Sequence, residues 1–294
     1  MTSSMASQQP IPAPAVPATI SVTSGKGGVG KSQFVVSASV LLRQEGRKVL
    51  LVDADVGCGN LDVLLGLQPE HDLRSVLQGD KDPEEIIVTA QVGDVSMDML
   101  AAPAPNREGS DLEPAEQLAM IDAVARAGLS YDALIVDTGA GVSRNPMLFA
   151  SAADRVILIT TPDPTALKDA YHAIKTLYER YRTDRIDLVV NMVQGARDGK
   201  RVYGQLTSVV DRFLPVEVRL LGVLPYDDRV VRAVRACEPT SHAYPSAAYS
   251  HAVRKIVRRL LDETEKVRSG GQVRYFGPAR KPEVVDGEDG GDLS

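Results

Sequence analysis

Residues 25–32 read Gly25-Lys-Gly-Gly-Val-Gly-Lys-Ser32 and match the pattern G-x-x-x-x-G-K-[ST]. They follow the short apolar run Thr19–Thr23 and lead into FVVSASVLLRQ, which has the apolar spacing of a helix. In such a loop the glycines let backbone N–H groups turn inward around phosphate oxygens, and the helix N-terminus adds its positive dipole end. The stretch therefore predicts a phosphate-binding loop between a strand and a helix.

Two side chains of this loop carry specific chemistry. Lys31 supplies a positive charge for the β- and γ-phosphates of a nucleotide, and the Ser32 hydroxyl can bind Mg²⁺. We predict that the following residues bind the nucleotide: Gly25, Lys26, Gly27, Gly28, Val29, Gly30, Lys31, Ser32 and Gln33.

Carboxylates follow two other predicted strands. VLLVDAD carries Asp53 and Asp55 at its end, and ALIVDTGAG places Asp137 after four apolar residues. Because ligands of parallel sheets bind beyond the carboxyl ends of the strands, we expect these side chains near the phosphate loop. Phosphoryl-transfer sites need a carboxylate that holds the Mg²⁺ hydration shell. The predicted metal-binding residues are Ser32, Asp55 and Asp137.

Short aliphatic runs alternate with longer helical patterns along the chain. The predicted strands are Thr19–Thr23, Lys48–Val52, Ser96–Ala101, Ala133–Val136, Arg155–Thr160, Asp187–Asn191 and Arg219–Leu224. The predicted helices cover 31–45, 60–66, 72–78, 112–127, 144–151, 164–181, 199–213, 228–236 and 246–267. This alternation, with continuously apolar strands, predicts a single α/β domain with a mainly parallel, twisted sheet and helices on both faces.

Composition sets limits on the kind of protein. The chain has 294 residues, 44% hydrophobic and 24% charged, which is typical of a globular protein. Its two cysteines, Cys58 and Cys237, lie far apart and exclude a disulfide scaffold or a Cys-rich metal site. The N-terminus lacks the features of a secretory signal, and no apolar run approaches the roughly 20 residues that span a bilayer. We therefore expect a cytoplasmic protein.

The two ends of the chain differ from its centre. Residues 1–18 are uncharged and rich in proline and alanine, and they predict a disordered arm. Residues 269–294 are rich in glycine and end in an acidic run, and they predict a disordered tail. The folded domain is predicted at 19–268.

Lys26 adds a second lysine to the phosphate loop, close to where the phosphates would lie. The SGKGGVGKS form resembles the deviant Walker A loop of the MinD/ParA family of P-loop ATPases. That resemblance implies ATP and Mg²⁺ as ligands, slow ATP hydrolysis stimulated by a partner, and a homodimer in the ATP-bound state. It also implies three catalytic residues. Lys26 crosses to the partner's nucleotide, Lys31 contacts the phosphates, and Asp55 orients the attacking water.

Several longer stretches resemble one branch of that family. DADVGCGNLDVLLGL resembles the segment that follows the second strand in MinD-like ATPases, whereas DTGAGVSRNPMLF and ADRVILITTPDPTALKDAYHAIK look most like the flagellar-number regulators FlhG/FleN, also called YlxH. The resemblance covers about residues 19–261. It implies control of flagellar number or placement, or of another polar machine, with a flagellar regulator or an SRP-like GTPase as partner. It further implies that Asn191, Pro225 and Asp227 contact adenine.

The chain departs from this branch at both ends. The N-terminal arm lacks the branch's Gln- and Leu-containing helical motif, and the acidic C-terminal segment is not an amphipathic targeting helix. SHAVRKIVRRLLDETEKV is another candidate for peripheral contact with the inner face of the membrane or a cell pole, because arginines flank its apolar stripe. The same pattern fits a last helix that packs on the sheet.

Two other functions stay open at this point, and a third does not fit the cysteines. The basic excess of residues 180–268 fits a ParA-like partitioning ATPase that binds DNA nonspecifically. A regulator that binds nucleotide with little hydrolysis would carry the same loop. Fe–S carriage, known for other members of this fold, needs a close pair of thiolates, which Cys58 and Cys237 do not supply.

Overall fold

The computed structural model describes residues 18–56, 58–103 and 112–269. The strands are β1 (Ala18–Ser24), β2 (Val49–Ala54), β3 (Val88–Val92), β4 (Val95–Leu100), β5 (Ala133–Ala140), β6 (Arg155–Thr160), β7 (Arg185–Val193) and β8 (Glu217–Pro225). The helices are α1 (Lys31–Gln44), α2 (Leu61–Leu65), α3 (Leu73–Leu77), α4 (Pro114–Gly128), α5 (Arg144–Ser151), α6 (Pro164–Tyr181), α7 (Ala196–Phe213), α8 (Asp228–Arg235), α9 (Thr240–Ala243) and α10 (Ala248–Ser269), with a 3₁₀ helix at Pro83–Ile86.

The strands form one eight-stranded sheet in the order β3-β4-β2-β5-β1-β6-β7-β8. Neighbouring strands are parallel except for β3 and β4. This confirms the predicted α/β class and the mainly parallel sheet. The order places β1 between β5 and β6, with β2 on the other side of β5, so the carboxyl ends of β1, β2 and β5 lie side by side.

Helices cover both faces of the sheet because the inner strands are apolar on both sides. Leu51 and Ile135 pack in the same cluster as α1 and α10, whereas their neighbours Leu50 and Leu134 pack with α3 and α4. Farther along the sheet, the second face is covered by α6 and α7. Alternate residues of a strand point to opposite faces, so unbroken apolar runs are what a sheet covered on both faces requires.

The hairpin between β3 and β4 was not predicted. In β3, buried Ala90 and Val92 alternate with exposed Thr89 and Gln91, so the strand lacks the continuous apolar run of the central strands. Its turn lies at Gly93-Asp94, and the φ angle of Gly93 is 60°. A Gly-Asp pair between two alternating runs is a hairpin signal, and it could have identified this strand. All seven predicted strands are present, as are the nine predicted helices.

The last helix packs on the sheet. Val253, Ile256, Val257 and Leu260 of α10 are between 0% and 3% exposed and belong to the same apolar cluster as α1. Of the two interpretations of this amphipathic stretch, the packed helix is therefore the one that the structure supports. In residues 18–56, 58–103 and 112–269, no helix is long and apolar enough to cross a membrane.

A partly buried ion network joins α10 to the amino ends of three strands. Asp187 of β7 forms ion pairs with Arg155 of β6 and Arg219 of β8. Both arginines also contact Glu263 of α10, at 3.0 Å from Arg155 Nη1 and 2.8 Å from Arg219 Nη2. Because Asp187 is almost fully buried, removal of either arginine would leave a poorly compensated charge inside the protein.

The arm and the tail lie almost wholly outside the described residues. Of residues 1–18 only Ala18 is described, and it begins β1; of residues 269–294 only Ser269 is described, and it ends α10.

Candidate functional site

The phosphate loop lies between β1 and α1, as predicted. Gly28 and Gly30 have φ angles of 77° and 87°, in the left-handed region that residues other than glycine rarely adopt. A Cβ atom on Gly25 would lie 2.2 Å from the carbonyl oxygen of Asp169 in α6. Glycine is therefore required here for two reasons, since the loop turns through left-handed conformations and α6 packs against its first residue.

Lys31 and Asp137 form a buried ion pair beneath this loop. Lys31 is the first residue of α1, and its Nζ lies 2.6 Å from Asp137 Oδ1 on β5. Their side chains are 8% and 2% exposed. The structure thus brings together two predicted site residues that are 106 positions apart in the sequence. Ser32 follows Lys31 in a half-buried position.

Asp53 is the third charged group at these strand ends. It pairs in register with Asp137 across β2 and β5, and it is 2% exposed. Burial and then the neighbouring Asp137 charge raise the pKa of Asp53 to about 7, although backbone N–H groups and Lys31 act in the opposite direction. Its carboxylate accepts hydrogen bonds from the backbone of the residues that follow β2.

Asp55 lies at the same edge and is half-buried. Burial raises its pKa, the positive charge of Lys31 lowers it, and Asp137 raises it. A Cβ atom on Gly139 would lie 2.9 Å from Asp55 Oδ1, so the carboxylate rests directly against the end of β5. Asp55 is therefore near enough to Lys31 and Asp137 for their charges to act on it, and it stays partly exposed to solvent.

The oxygen atoms at this edge fit Mg²⁺. A hydroxyl from Ser32 and carboxylates from Asp55 and Asp137 are the hard ligands that this ion prefers, and Mg²⁺ in nucleotide sites takes only one or two carboxylates plus phosphate oxygens. Within the described residues, no group of three or more His, Cys, Asp or Glu side chains is placed to hold a metal ion. Binding of Mg²⁺ by Ser32, Asp55 and Asp137 stays a prediction.

Lys26 is held at the surface by α6. Its Nζ lies 2.8 Å from Thr165 Oγ1 and 3.4 Å from Asp163 Oδ1, and the Lys26 side chain is 44% exposed. Hydrogen bonds from Thr161, Thr165 and the Ala166 N–H, together with the charge of Lys26, hold the pKa of Asp163 well below its usual range. Sequence reasoning missed this contact. The Asp-Pro-Thr pattern indicates a helix start, but nothing local shows that it faces the phosphate loop.

Gln33 and Asn191, both predicted to bind nucleotide, are buried and form internal hydrogen bonds. The side-chain amide of Gln33 donates to Thr240 Oγ1 and to the Glu238 carbonyl, 3.2 Å away. Asn191 Nδ2 donates to the Val29 carbonyl at 2.8 Å, so this side chain supports the phosphate loop from β7. Contacts of these two residues with a nucleotide stay predictions.

The predicted adenine turn lies at the end of β8. Pro225 ends the strand, and Asp227 caps α8 by accepting a hydrogen bond from the Arg229 N–H at 3.0 Å. The Tyr226 N–H donates to the Val193 carbonyl at the end of β7. A surface pocket opens here, lined by Tyr226, Asp227, Asp228, Arg229 and Arg232. Adenine binding by Pro225 and Asp227 stays a prediction.

Comparison with protein families identifies one match over most of the chain. A family model described as ParA, NUBPL iron-transfer P-loop NTPase, matches residues 15–261. Antiactivator FleN of Pseudomonas aeruginosa is 32% identical over 87% of this chain and 91% of its own length. Flagellum site-determining protein YlxH of Helicobacter pylori is 31% identical over 84% of this chain and 82% of its own.

Solved structures give the same fold. The MinC:MinD cell division protein complex of Aquifex aeolicus matches with a TM-score of 0.67 and 27% identity, covering 83% of this chain and 96% of that one. MinD of Pyrococcus horikoshii complexed with Mg-ADP matches with a TM-score of 0.66 over 86% and 98% of the two chains, and at 23% identity it bears on the fold alone. The resemblance seen in the sequence is therefore confirmed.

Proposed function

The chain belongs to the ParA/MinD family of P-loop NTPases, and on that premise we propose that it is an ATP-dependent dimerisation switch that regulates flagellar number or placement. The observation that carries the proposal is the pair of lysines on one phosphate loop. Lys31 is buried against Asp137, whereas Lys26 is exposed and held only by α6. A buried lysine serves the subunit's own nucleotide, and an exposed one can reach a second subunit.

In this proposal ATP is the substrate, and the chain binds and orients it. The N–H groups of the phosphate loop surround the phosphates, and Lys31 contacts them from the start of α1. Ser32 and Asp137 would hold Mg²⁺, which supplies positive charge against the phosphate oxygens. Asp55 orients a water molecule for in-line attack on the γ-phosphorus, the bond to the ADP oxygen breaks, and the water protons pass to phosphate and solvent.

Dimerisation depends on Lys26 changing its partner. In the isolated subunit Lys26 contacts Asp163 and Thr165, and in the ATP-bound dimer it would contact the phosphates of the partner subunit. Loss of the γ-phosphate weakens that contact, so that the subunits separate and Lys26 returns to α6. The two states of the switch therefore differ in the group that Lys26 contacts.

Asp163→Asn should strengthen the ATP-bound dimer, because it removes the negative charge that competes for Lys26. Asparagine still caps α6. An exposed ion pair contributes about 0.2–1 kcal/mol, and a dimer releases two lysines, so the dimer dissociation constant should fall between about twofold and thirtyfold. Analytical ultracentrifugation with a non-hydrolysable ATP analogue measures this. Asp122→Asn, which removes an exposed ion pair with Arg126 on α4, is the control. An unchanged or weaker Asp163→Asn dimer would contradict the competition.

The alternatives have less support. Nonspecific DNA binding depends only on the basic excess of residues 180–268, whereas FleN and YlxH are similar over most of the chain. Iron transfer appears in the description of the family model, yet it needs a close pair of thiolates, and Cys58 and Cys237 are both exposed and unpaired. We place the switch in the cytoplasm, with peripheral contact at the membrane or a pole through its partners.

A pull-down tests the regulated process. Asp55→Ala loaded with ATP is used as bait in a lysate of the native cell, and Lys31→Ala is the matched bait that cannot hold ATP. We expect flagellar basal-body proteins, a flagellar regulator or an SRP-like GTPase to be enriched only on the first bait. Enrichment of DNA in a salt-sensitive manner would favour partitioning instead. Absence of flagellar components would overturn the flagellar assignment and leave the ATPase proposal standing.

A further inference from the structure

One buried carboxylate closes both ends of the segment that carries Asp55. Asp53 Oδ1 accepts a hydrogen bond from the Asp55 N–H, and Asp53 Oδ2 accepts from the N–H groups of Asn60 and Leu61, each at 3.0 Å. Leu61 is fully buried and begins α2. The carboxylate of Asp53 therefore binds the backbone at both the beginning and the end of the segment between β2 and α2.

Burial of the Asp53 carboxylate costs free energy, because the carboxylate loses its contact with water. A carboxylate that is 2% exposed and adjacent to Asp137 requires strong hydrogen bonds to offset the loss of water, and three N–H donors supply them. The space beside the carboxylate is too small for another side chain, since a Cβ atom on Gly59 would lie 2.7 Å from Asp53 Oδ2. Gly59 therefore allows the backbone to approach the carboxylate closely.

We propose that Asp53 is a positioning residue for Asp55: its carboxylate fixes the backbone on both sides of the segment and so fixes the point from which Asp55 acts on water. The catalytic part of this inference rests on the proposed ATPase function. Asp55 is then confined from two directions, by the Asp53 bond to its own N–H and by Gly139 against its carboxylate. Both oxygens of Asp53 accept backbone N–H bonds, so we assign it the support of the loop, and the Mg²⁺ requirement measured below distinguishes this role from direct ligation.

Asp53→Asn tests this, because asparagine keeps one acceptor oxygen and turns an N–H₂ group toward donors. We expect amide hydrogen exchange at residues 55, 60 and 61 to become at least tenfold faster, while exchange in α1 stays unchanged. We expect kcat for ATP hydrolysis to fall at least tenfold, with KM for ATP and the Mg²⁺ concentration for half-maximal activity within about threefold of the parent values. Asp62→Asn is the matched control, since Asp62 lies in α2 directly after the segment and its carboxylate accepts the N–H of the adjacent Val63.

Gly59→Ala provides a second variant if Asp53→Asn does not fold. It pushes against Asp53 Oδ2 without removing a charge, and it should shift exchange and kcat in the same direction. Unchanged exchange at all three amides would overturn the inference. So would a tenfold rise in the Mg²⁺ requirement with unchanged exchange, which would make Asp53 a metal ligand. If the parent protein hydrolyses no ATP, the proposed function fails, but the exchange measurement still decides whether Asp53 holds the segment.

Discussion

Lys31→Ala is expected to lower ATP affinity by about thirtyfold to several thousandfold. The lysine is buried at the start of α1, and truncation of one partner in a buried, charged hydrogen bond costs about 2–5 kcal/mol. Isothermal titration calorimetry with ATP and Mg²⁺ measures the loss directly. An affinity within about threefold of the parent, in a folded sample, would mean that the loop does not hold the phosphates.

The same substitution should also reduce stability, and the two effects must be separated. Without Lys31, the Asp137 charge stays buried beside Asp53, and breaking a buried pair in this way costs about 3–5 kcal/mol. The double variant Lys31→Ala/Asp137→Asn removes both charges and should recover most of the stability measured by urea unfolding. ATP binding should not recover, because both groups also serve the nucleotide and its Mg²⁺.

Asp55→Ala is expected to lower ATP hydrolysis by about a hundredfold to ten-thousandfold while leaving ATP binding nearly intact. Removal of a group that positions or deprotonates the attacking water has an effect of this size. Since the phosphate loop and Lys31 are unchanged, ATP stays bound and the dimer should persist. Size-exclusion chromatography with ATP should show a stable dimer for this variant, and the parent should return to monomer as ATP is consumed.

Two comparisons make the Asp55 result informative. Asp122→Ala removes an exposed carboxylate on α4 and should hydrolyse ATP like the parent. Asp55→Ala combined with Lys31→Ala should stay monomeric, because the trapped state needs bound ATP. A monomeric Asp55→Ala protein in saturating ATP would contradict the dimerisation switch even if hydrolysis is lost.

The site could be predicted where the chemistry is local in the sequence. Residues 25–32 specify their own turn, and the apolar runs before Asp53 and Asp137 place both carboxylates toward the carboxyl ends of β2 and β5, although β5 continues for three residues beyond Asp137. Parallel strands bring such ends together, so the proximity of these groups follows from the fold class. The hairpin of β3 was missed because its alternating, partly exposed pattern is weaker than that of a strand buried on both faces.

The rest depends on contacts between distant segments. Three contacts join elements that lie more than 130 residues apart in the sequence: α6 with Lys26, Asn191 of β7 with Val29, and Gln33 of α1 with Thr240. The hydrogen bonds of Asp53 could not be predicted for another reason. The donors to Asp53 are backbone N–H groups, which are present in every sequence. No residue pattern therefore indicates that this contact forms.

The ion network of Arg155, Asp187, Arg219 and Glu263 lies at the amino ends of β6, β7 and β8, on the opposite edge of the sheet from the phosphate loop. The length of the strands therefore separates this network from the phosphate loop, so substitutions in the network should change the stability of the protein without touching the side chains proposed to bind nucleotide.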